Sequence, residues 1–342
     1  MMTIISALLC SCGVTKKHEK VTTVGVEEFA QVMAQKDVRL IDVRTPKEYA
    51  EGHLAGAEII DVKAPDFAER IKGITGMVAV YCRGGKRSLL AAEQLAGQGC
   101  SVYNLDGGIL AWQKAGKPTT TVETDLFTTH GGKLVKIHAL VHSSICIEYD
   151  GKTIFVDPVA KLQERMVDYT AMPKADIILV THEHFDHYDP ATIALLTQEN
   201  TQLIMNPRCV ELYGSGTAMA NGERLTLSDD IALGAVPAYN TTEGHEQFHP
   251  EGRDNGYLLI LDGLRIYIAG DTEDIPEMAD MESVDIAFLP CNQPYTMTTE
   301  QLTRAAKRLQ PKVLFPYHYG ETDLSALPAQ LPSIDVRIRH YE

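Results

Sequence analysis

The sequence predicts two α/β domains of different kinds: an N-terminal domain with a parallel sheet, and a C-terminal domain with two mixed sheets and helices outside. Its 342 residues exceed one typical domain and suit two. Before residue 118, short β-branched stretches alternate with helical patterns, as in parallel sheets. After residue 134, longer alternating strands meet at tight turns, as at Asp150-Gly151 and Asp262-Gly263. The Gly, Pro and Thr around 114–125 place a linker between the domains, at 119–133.

In the first domain the patterns follow one another closely. Residues 22–36 carry apolar side chains at helical spacing and are expected to form a helix. "VRLIDVR" and "MVAVYC" (77–82) are predicted strands. "RSLLAAEQLAGQGC" is a predicted helix that ends near glycine, and "SVYNLDGG" a strand that runs into a turn.

The second domain contains two clear helix signals. In "DPATIALLTQ", Asp189 can cap the helix and Pro190 suits its first position. "TTEQLTRAAKRL" (298–309) has the apolar spacing of a second helix. We therefore expect the long strands of this domain to form two mixed sheets with helices on the outside.

Charge is distributed unevenly along the chain. Of 31 basic and 46 acidic residues, 15 of each lie up to Asp125, so the remainder carries the whole net charge of −15. An acidic second half argues against nucleic acid as a partner, because phosphate binding needs a basic surface. The same excess of acidic residues also keeps a domain soluble. The cysteines show no paired pattern, so a disulfide framework is not expected.

The first 19 residues resemble a bacterial lipoprotein signal and tether. A short apolar run from Thr3 to Leu9 precedes "LCSC", with Cys12 as the residue to be lipidated. The run is too short to span a bilayer. The resemblance implies a periplasmic protein of the bacterial cell envelope, with membrane contact only through the anchor. The alternative is a terminal segment with no such role.

A dense set of ligand-type side chains follows the apolar stretch "ADIILV". The motif "THEHFDH" places His182, His184, Asp186 and His187 on one turn. A turn held by a strand end can direct several side chains to one point. Imidazole with carboxylate suits zinc, iron or manganese, and the lack of cysteine favours a catalytic over a structural site.

The region 134–342 resembles the metallo-β-lactamase fold, an αβ/βα sandwich of metal-dependent hydrolases. "IYIAGDT" places Asp271 where this family keeps its bridging aspartate, and "VLFPYHYG" places His318 where its last histidine ligand lies. "SSICIEYDGKTIFVDP" and "RDNGYLLILDGLRIYIAGDT" are most similar to the branch with ascorbate-6-phosphate lactonase and N-acyl phosphatidylethanolamine phospholipase D.

One ligand position of that family is changed here, because Asn240 stands where the middle histidine is expected. Relatives with the same asparagine have a similar "HPxG" stretch, which favours His249 as the replacement. His245, Asn240 itself, water and a site with one metal are the alternatives. His142 of "VHSSIC" either faces the same cleft or is a core histidine.

The resemblance implies two divalent metal ions, zinc in the first place, with manganese or iron as alternatives. His182, His184 and the middle ligand would hold one, and Asp186, His187 and His318 the other, with Asp271 between them. Such a pair hydrolyses small-molecule esters, lactones, thioesters, amides or phosphodiesters. Asp186 is also the candidate for orienting the attacking water.

The first domain has its own chemical motif, "VYCRGGKRS" (80–88). A loop between a strand and a helix directs backbone N–H groups inward, where they stabilise an anion. Cys82 would lie at the centre of this loop. The neighbouring Arg83, Lys86 and Arg87 all favour thiolate over thiol. Such a cysteine is a nucleophile able to carry a sulfane sulfur, and the alternative is an ordinary buried cysteine.

Residues 20–118 resemble the rhodanese family of sulfurtransferases. The motifs "LIDVRTPKEYAEGHLAGAEII", "CRGGKRS" and "LDGGILAW" occur in the family's order. The resemblance implies a Cys82 persulfide, with Arg87 in the catalytic set and a cradle formed by Arg83, Gly84, Gly85, Lys86 and Ser88. It also implies a sulfane-sulfur donor such as thiosulfate or a persulfide. Asp42 and Arg44 are expected to be structural.

The leading hypothesis is a metal-dependent hydrolase fused to a sulfurtransferase domain with a Cys82 persulfide. Fusions of these two folds include iron-dependent persulfide dioxygenases, which give the first alternative. In those the hydrolase-like domain usually comes first, and their iron site needs the middle histidine that is replaced here. The second alternative is a first domain that only binds or delivers sulfur, against which the intact "CRGGKRS" loop argues.

Overall fold

The computed structural model describes residues 20–35, 37–163 and 165–341. The predicted leader 1–19, with its lipidation residue Cys12, lies outside these residues. The chain divides into two compact units, whose described residues lie within 20–44 and 60–117, and within 45–59 and 118–341. In the described part of the chain no helix combines the length and the apolar character needed to cross a membrane.

The region before residue 118 contains a five-stranded sheet and short helices. The strands have the order β1-β5-β4-β2-β3, and the pairs β1/β5, β5/β4 and β4/β2 are parallel. The elements are β1 Val21–Val24, α1 Val26–Met33, β2 Arg39–Asp42, α2 Pro46–Ala50, β3 Glu58–Ile59, α3 Phe67–Arg70, β4 Met77–Tyr81, α4 Lys86–Gly97, β5 Ser101–Leu105 and α5 Gly108–Lys114.

The expected helix over 22–36 is only partly correct. Its first residues form β1, which pairs with β5, and the helix begins after Gly25. The run "VTTV" is β-branched and favours a strand, although the apolar spacing continues through it. The parallel sheet and the helix α4 behind the cysteine loop are confirmed.

The region after residue 118 contains two seven-stranded sheets, in the orders β14-β13-β12-β9-β8-β7-β6 and β15-β16-β17-β18-β19-β20-β21. The first sheet and its helices comprise β6 Thr124–Thr128, β7 Leu134–Val141, β8 Ser144–Tyr149, β9 Lys152–Val156, β12 Ile177–Val180, α6 Pro190–Leu196, β13 Gln202–Met205, α7 Pro207–Tyr213 and β14 Thr217–Ala218, with the separate hairpin β10 Lys161–Leu162 and β11 Arg165–Met166. The second comprises β15 Arg224–Ser228, β16 Ile231–Ala238, β17 Asp254–Leu261, β18 Leu264–Ile268, β19 Ile286–Pro290, α8 Thr299–Leu309, β20 Val313–Tyr317, α9 Leu327–Gln330 and β21 Asp335–Val336.

The two sheets face each other across one apolar core. Ile147 and Leu179 of the first sheet share this core with Leu259 and Phe288 of the second. The outer face of the first sheet is covered by α6 and α7, and the outer face of the second by α8 and α9. The arrangement is the αβ/βα sandwich that the sequence predicted.

Strand β6 lies inside the stretch predicted as a linker, 119–133. It pairs antiparallel with β7, from Thr124 opposite His138 to Thr128 opposite Leu134. The surrounding Pro, Thr and Gly residues predict a loop, but five residues of this stretch form a strand, which is stabilised by pairing with β7. The first sheet therefore begins before residue 134. Asp189 caps α6 through the N–H groups of Ala191 and Thr192, as predicted.

Candidate functional site

The metal-type side chains of the second domain gather where strands of both sheets end. His182 to His187 follow β12, Asp271 follows β18 and His318 follows β20. The loop between β16 and β17 supplies His249. His182, His187, His249, Asp271 and His318 are buried, while His184 and Asp186 are partly accessible. The cluster is thus held rigidly at its base and open at one edge.

The ligand atoms form two adjoining groups and a third that joins them, each with its atoms within 4.8 Å of one another. One group contains His182, His184 and His249. The other contains Asp186, His187 and His318, together with His142, and the joining group consists of His182, His187 and Asp271.

Asp271 lies between these groups. Its Oδ2 is 3.4 Å from His249 Nε2 and 3.1 Å from His318 Nε2. Its Oδ1 is 3.2 Å from His187 Nε2. One carboxylate therefore touches both groups, which is the geometry that a bridging ligand needs.

The three candidates for the middle ligand occupy different places. His249 is in the first group, and its Nδ1 is 3.0 Å from Asp254 Oδ2. His245 is outside the groups, with Nδ1 3.4 Å from Glu273 Oε1. Asn240 donates from Nδ2 to the carbonyls of His245 and Tyr295, at 3.2 and 2.8 Å. Asn240 therefore ties the loop down, and its amide nitrogen is committed to that task.

Carboxylates behind the cluster fix the orientation of the histidines. Asp157, at the end of β9, lies 2.8 Å from His187 Nδ1 and accepts hydrogen bonds from Thr181 N and Oγ1 at 2.8 and 2.7 Å. Asp254 Oδ2 likewise lies 3.0 Å from His249 Nδ1. A partner on one ring nitrogen leaves the other nitrogen, Nε2, directed into the cluster. Neither residue was predicted from sequence, where the signal is an acidic residue at a strand end, in "FVDP" and "RDNG".

The turn between β7 and β8 also reaches the cluster. His142 Nε2 lies 3.2 Å from Asp186 Oδ2, and the His142 and His318 rings are 3.7 Å apart. His142 thus faces the cleft, which resolves the alternative of a core histidine. Both residues have positive φ, 56° and 47°. This backbone conformation costs a non-glycine residue about 1–3 kcal/mol and is kept only where surrounding contacts enforce it.

Charge in the cluster is organised around Asp271. Burial raises the pKa of its carboxyl, but the neighbouring His187 and His318 outweigh this effect and hold the pKa well below its usual range. Burial lowers the pKa of His318, yet Asp271 and Asp186 raise it to about 9. Burial and the neighbouring His187 hold the pKa of His182 well below its usual range. The carboxylate thus attracts positive charge to this point, from protons on imidazoles or from a cation.

The residues fit a metal centre. Nε2 of His187, Nε2 of His318 and Oδ1 of Asp271 are buried and form no hydrogen bond with the residues that the structure describes. Buried polar atoms without hydrogen bonds are rare and call for another partner. Imidazole and carboxylate donors converging on one place are the set that zinc, manganese and iron accept.

The cysteine loop of the first domain is built from one continuous segment. The Sγ of Cys82 accepts hydrogen bonds from Gly85 N at 3.2 Å and from Ser88 Oγ at 3.4 Å. Burial raises the pKa of the thiol, but these bonds and those from the Ser88 and Gly84 N–H groups lower it below its usual value. Hydrogen bonds from Ser88, Gly84 and Gly85 thus favour the thiolate, and the neighbouring cations are not among the main causes. Arg83, Gly84 and Lys86 are exposed at its rim, and Arg87 is partly buried.

The "LDGG" turn supports this loop from behind. Ile109 N donates to the carbonyl of Cys82 at 2.9 Å, and Leu110 N donates to that of Arg83 at 3.2 Å. Gly108 has φ 59°, and a Cβ there would lie 2.3 Å from the Cys82 carbonyl oxygen. Only glycine allows this approach.

Asp42 and Arg44 form a buried ion pair in the first domain. The Nη2 atom of Arg44 lies 2.6 Å from Asp42 Oδ2, and Asp42 Oδ1 accepts from the Arg44 backbone N–H at 2.9 Å. These contacts fit the structural role that was expected for the two residues.

Comparison with known proteins assigns both regions. Residues 136–318 match the beta-lactamase superfamily domain, and residues 25–115 match the rhodanese-like domain. A UPF0173 metal-dependent hydrolase of Geobacillus sp. (strain WCH70) is 31% identical over 189 residues, which are 52% of this chain and 83% of the relative. One of Anoxybacillus flavithermus is 32% identical over 190 residues, with 52% and 83% covered.

Two solved structures have the same fold. A protein of Parabacteroides distasonis classed as a metal-dependent hydrolase is 49% identical, with a TM-score of 0.62, and covers 65% of this chain and 100% of its own. Igni18, a metallo hydrolase of Ignicoccus hospitalis, is 26% identical, with a TM-score of 0.52, and covers 60% of this chain and 94% of its own. The chain therefore belongs to the beta-lactamase superfamily of metal-dependent hydrolases, and a rhodanese-like domain precedes the hydrolase domain in the sequence.

Proposed function

We propose that the second domain is a hydrolase with two divalent metal ions, zinc in the first place. His182, His184 and His249 would hold one ion, and Asp186, His187 and His318 the other. The observation that carries this proposal is the position of Asp271, whose carboxylate lies within 3.4 Å of His249 in one group and of His187 and His318 in the other. When bound, such a pair of ions lowers the pKa of a shared water and polarises the scissile bond.

The chain's own residues supply the remaining requirements. Asp186 is partly accessible, and its Oδ2 lies 3.2 Å from His142 Nε2 and 3.7 Å from His318 Nε2. A carboxylate at the open edge can orient the attacking water. Asp157 and Asp254 keep the histidine rings in the orientation for binding. The bonds in question are those of small-molecule esters, lactones, thioesters and phosphodiesters.

We assign the middle ligand to His249. Its Nε2 lies 3.4 Å from Asp271 Oδ2, and the Asp254 carboxylate on Nδ1 sets the tautomer that a ligand needs. His245 instead lies near Glu273. A site with three histidines and a shared aspartate also suits a single iron, so the persulfide dioxygenase remains the second candidate. The two complete ligand groups favour the hydrolase.

We propose that Cys82 carries a sulfane sulfur. Its thiolate would attack the outer sulfur of thiosulfate, so that the S–S bond breaks, sulfite leaves and Cys82 becomes a persulfide. Gly85 N and Ser88 Oγ, which now contact Sγ, would stabilise the added negative sulfur, and Arg87 would balance its charge.

Metal content and turnover of the purified full chain test this function. We expect about two zinc or manganese ions per chain by mass spectrometry, and hydrolysis of activated esters or bis-p-nitrophenyl phosphate that is lost on chelation and restored by metal. One iron per chain, with oxygen consumption on glutathione persulfide, would replace the hydrolase with the dioxygenase.

We also propose that the protein is exported and lipid-anchored at Cys12. Radiolabelled palmitate should enter the protein in bacterial cells, and the Cys12→Ala variant should stay unlabelled. Equal labelling of both would refute the anchor.

A further inference from the structure

We propose that the C-terminal tail, residues 337–341, together with the turn His142–Ser143, positions the second group of metal ligands. The proposal rests on the proposed function in assuming that two ions bind. The tail lies beyond residue 318, where the match to the superfamily domain ends. Its role is indirect: it holds the turn, and the turn holds the ligands.

The turn contacts every protein ligand of the second group. His142 Nε2 lies 3.2 Å from Asp186 Oδ2, and its ring centroid lies 3.7 Å from that of His318, with the ring planes tilted by 46°. Ser143 Oγ lies 3.1 Å from His187 Nδ1 and donates to the backbone carbonyl of Asp186 at 3.4 Å. A shift of these two residues would therefore displace all three ligands.

The tail holds the backbone of the His142–Ser143 turn. His142 N donates to the carbonyl of Tyr341 at 2.9 Å, and the carbonyl of His142 accepts from His318 N at 3.2 Å. Because His142 and His318 have unfavourable positive φ values, their conformation depends on such contacts. The tail carbonyl is thus the outermost link in a chain of hydrogen bonds that ends at the ligands.

The tail is itself fastened by charge and burial. Arg337 and Arg339 both donate to the buried carboxylate of Asp125, at 2.7–2.8 Å. The carbonyl of Arg339 accepts from Tyr319 Oη at 2.6 Å, and the Tyr341 side chain is buried. Charge-assisted hydrogen bonds of this kind are strong and directional. The tail therefore has a defined position from which to hold the turn.

Metal binding by the full-length protein tests this inference. Cobalt(II) is titrated into the metal-free protein, and ions per chain and the visible spectrum are recorded. For His142→Ala we expect one ion bound as in the parent and the second weakened about 10- to 100-fold. His142→Gln, which retains a donor toward Asp186, should recover part of the loss. A chain ending at His340 should weaken the second ion likewise, whereas Tyr341→Phe, which keeps the carbonyl, should match the parent.

The shortened chain distinguishes positioning from direct ligation by His142, because it keeps the His142 side chain. Two ions bound with parental affinity by His142→Ala and by the shortened chain would refute the inference and leave the proposed function intact. One ion bound by the parent would refute the proposed function and the inference with it. If the shortened chain does not fold, as judged by circular dichroism, Ser143→Ala replaces it, with a weakened second ion expected and an unchanged one refuting the inference.

Discussion

The two candidate sites of this protein are built in opposite ways. The cysteine loop is a continuous segment from Cys82 to Ser88, and most of its hydrogen bonds to sulfur come from backbone N–H groups. The metal cluster collects side chains from segments between His142 and His318, with further carboxylates behind them. A continuous loop depends on local conformation, whereas a distributed cluster depends on how two sheets are placed. The metal cluster should therefore lose more function than the cysteine loop when residues outside the site are changed.

The largest effect is expected from removing a metal ligand. His182→Ala should lower kcat/KM for bis-p-nitrophenyl phosphate by about 10³-fold or more, equivalent to roughly 4 kcal/mol of transition-state stabilisation. Steady-state kinetics would measure it. His245→Ala is the matched control and should stay within about threefold, because His245 lies outside the cluster. Equal losses in the two variants would show that the site is wrongly assigned.

Replacing Cys82 should abolish the activity of the cysteine loop and leave that of the metal cluster unchanged. Cys82→Ala should reduce thiocyanate formation from thiosulfate and cyanide to the uncatalysed rate, while hydrolysis by the second domain is unchanged. Cys100→Ala is the control in the same domain, since burial raises the pKa of Cys100. If Cys82→Ala and the parent form thiocyanate equally fast, the sulfurtransferase hypothesis is wrong.

Asp157 tests the support behind the metal cluster, because it contacts His187 but belongs to no ligand group. Asp157→Asn removes the charged acceptor beside His187 and Thr181. We expect metal affinity to fall about 10- to 100-fold, measured by competition with a chromophoric chelator. Asp229→Asn makes the same substitution at an exposed residue and should bind metal like the parent. Unchanged affinity in both would remove the support we assign to the carboxylates behind the cluster.

The smallest effect is expected at Ser88. Since the pKa of Cys82 is lowered, its thiolate persists to lower pH than that of an ordinary cysteine. Ser88→Ala removes one hydrogen bond to sulfur, so the midpoint of alkylation by iodoacetamide should move to higher pH. At neutral pH the rate should fall roughly fivefold, as a bond worth about 1 kcal/mol implies. The exposed Ser101→Ala is the control. Superimposable pH profiles would contradict the role of Ser88.

Predictions from sequence succeeded where the chemistry is local. "CRGGKRS" predicted a thiolate loop because a strand, a turn and a helix follow one another directly, so their N–H groups must converge. The ligands of "THEHFDH" were also predictable, because they are close neighbours in the segment that follows β12. Strand β6 was missed because its stability comes from pairing with β7 and not from its own composition. The residues around the cluster, Asp157 and Asp254, were missed because they are single carboxylates at the ends of ordinary strands.

The sequence by itself determined the two domain classes, the cysteine loop and the strand-end residues that converge in the cluster. These follow from hydrophobic periodicity and from the short reach of neighbouring residues. Only the tertiary structure decided that His249 and not His245 lies in the cluster, that His142 faces it, and that the tail reaches the turn. Such contacts join residues far apart in the chain, and their positions depend on how the two sheets pack, which local patterns do not specify.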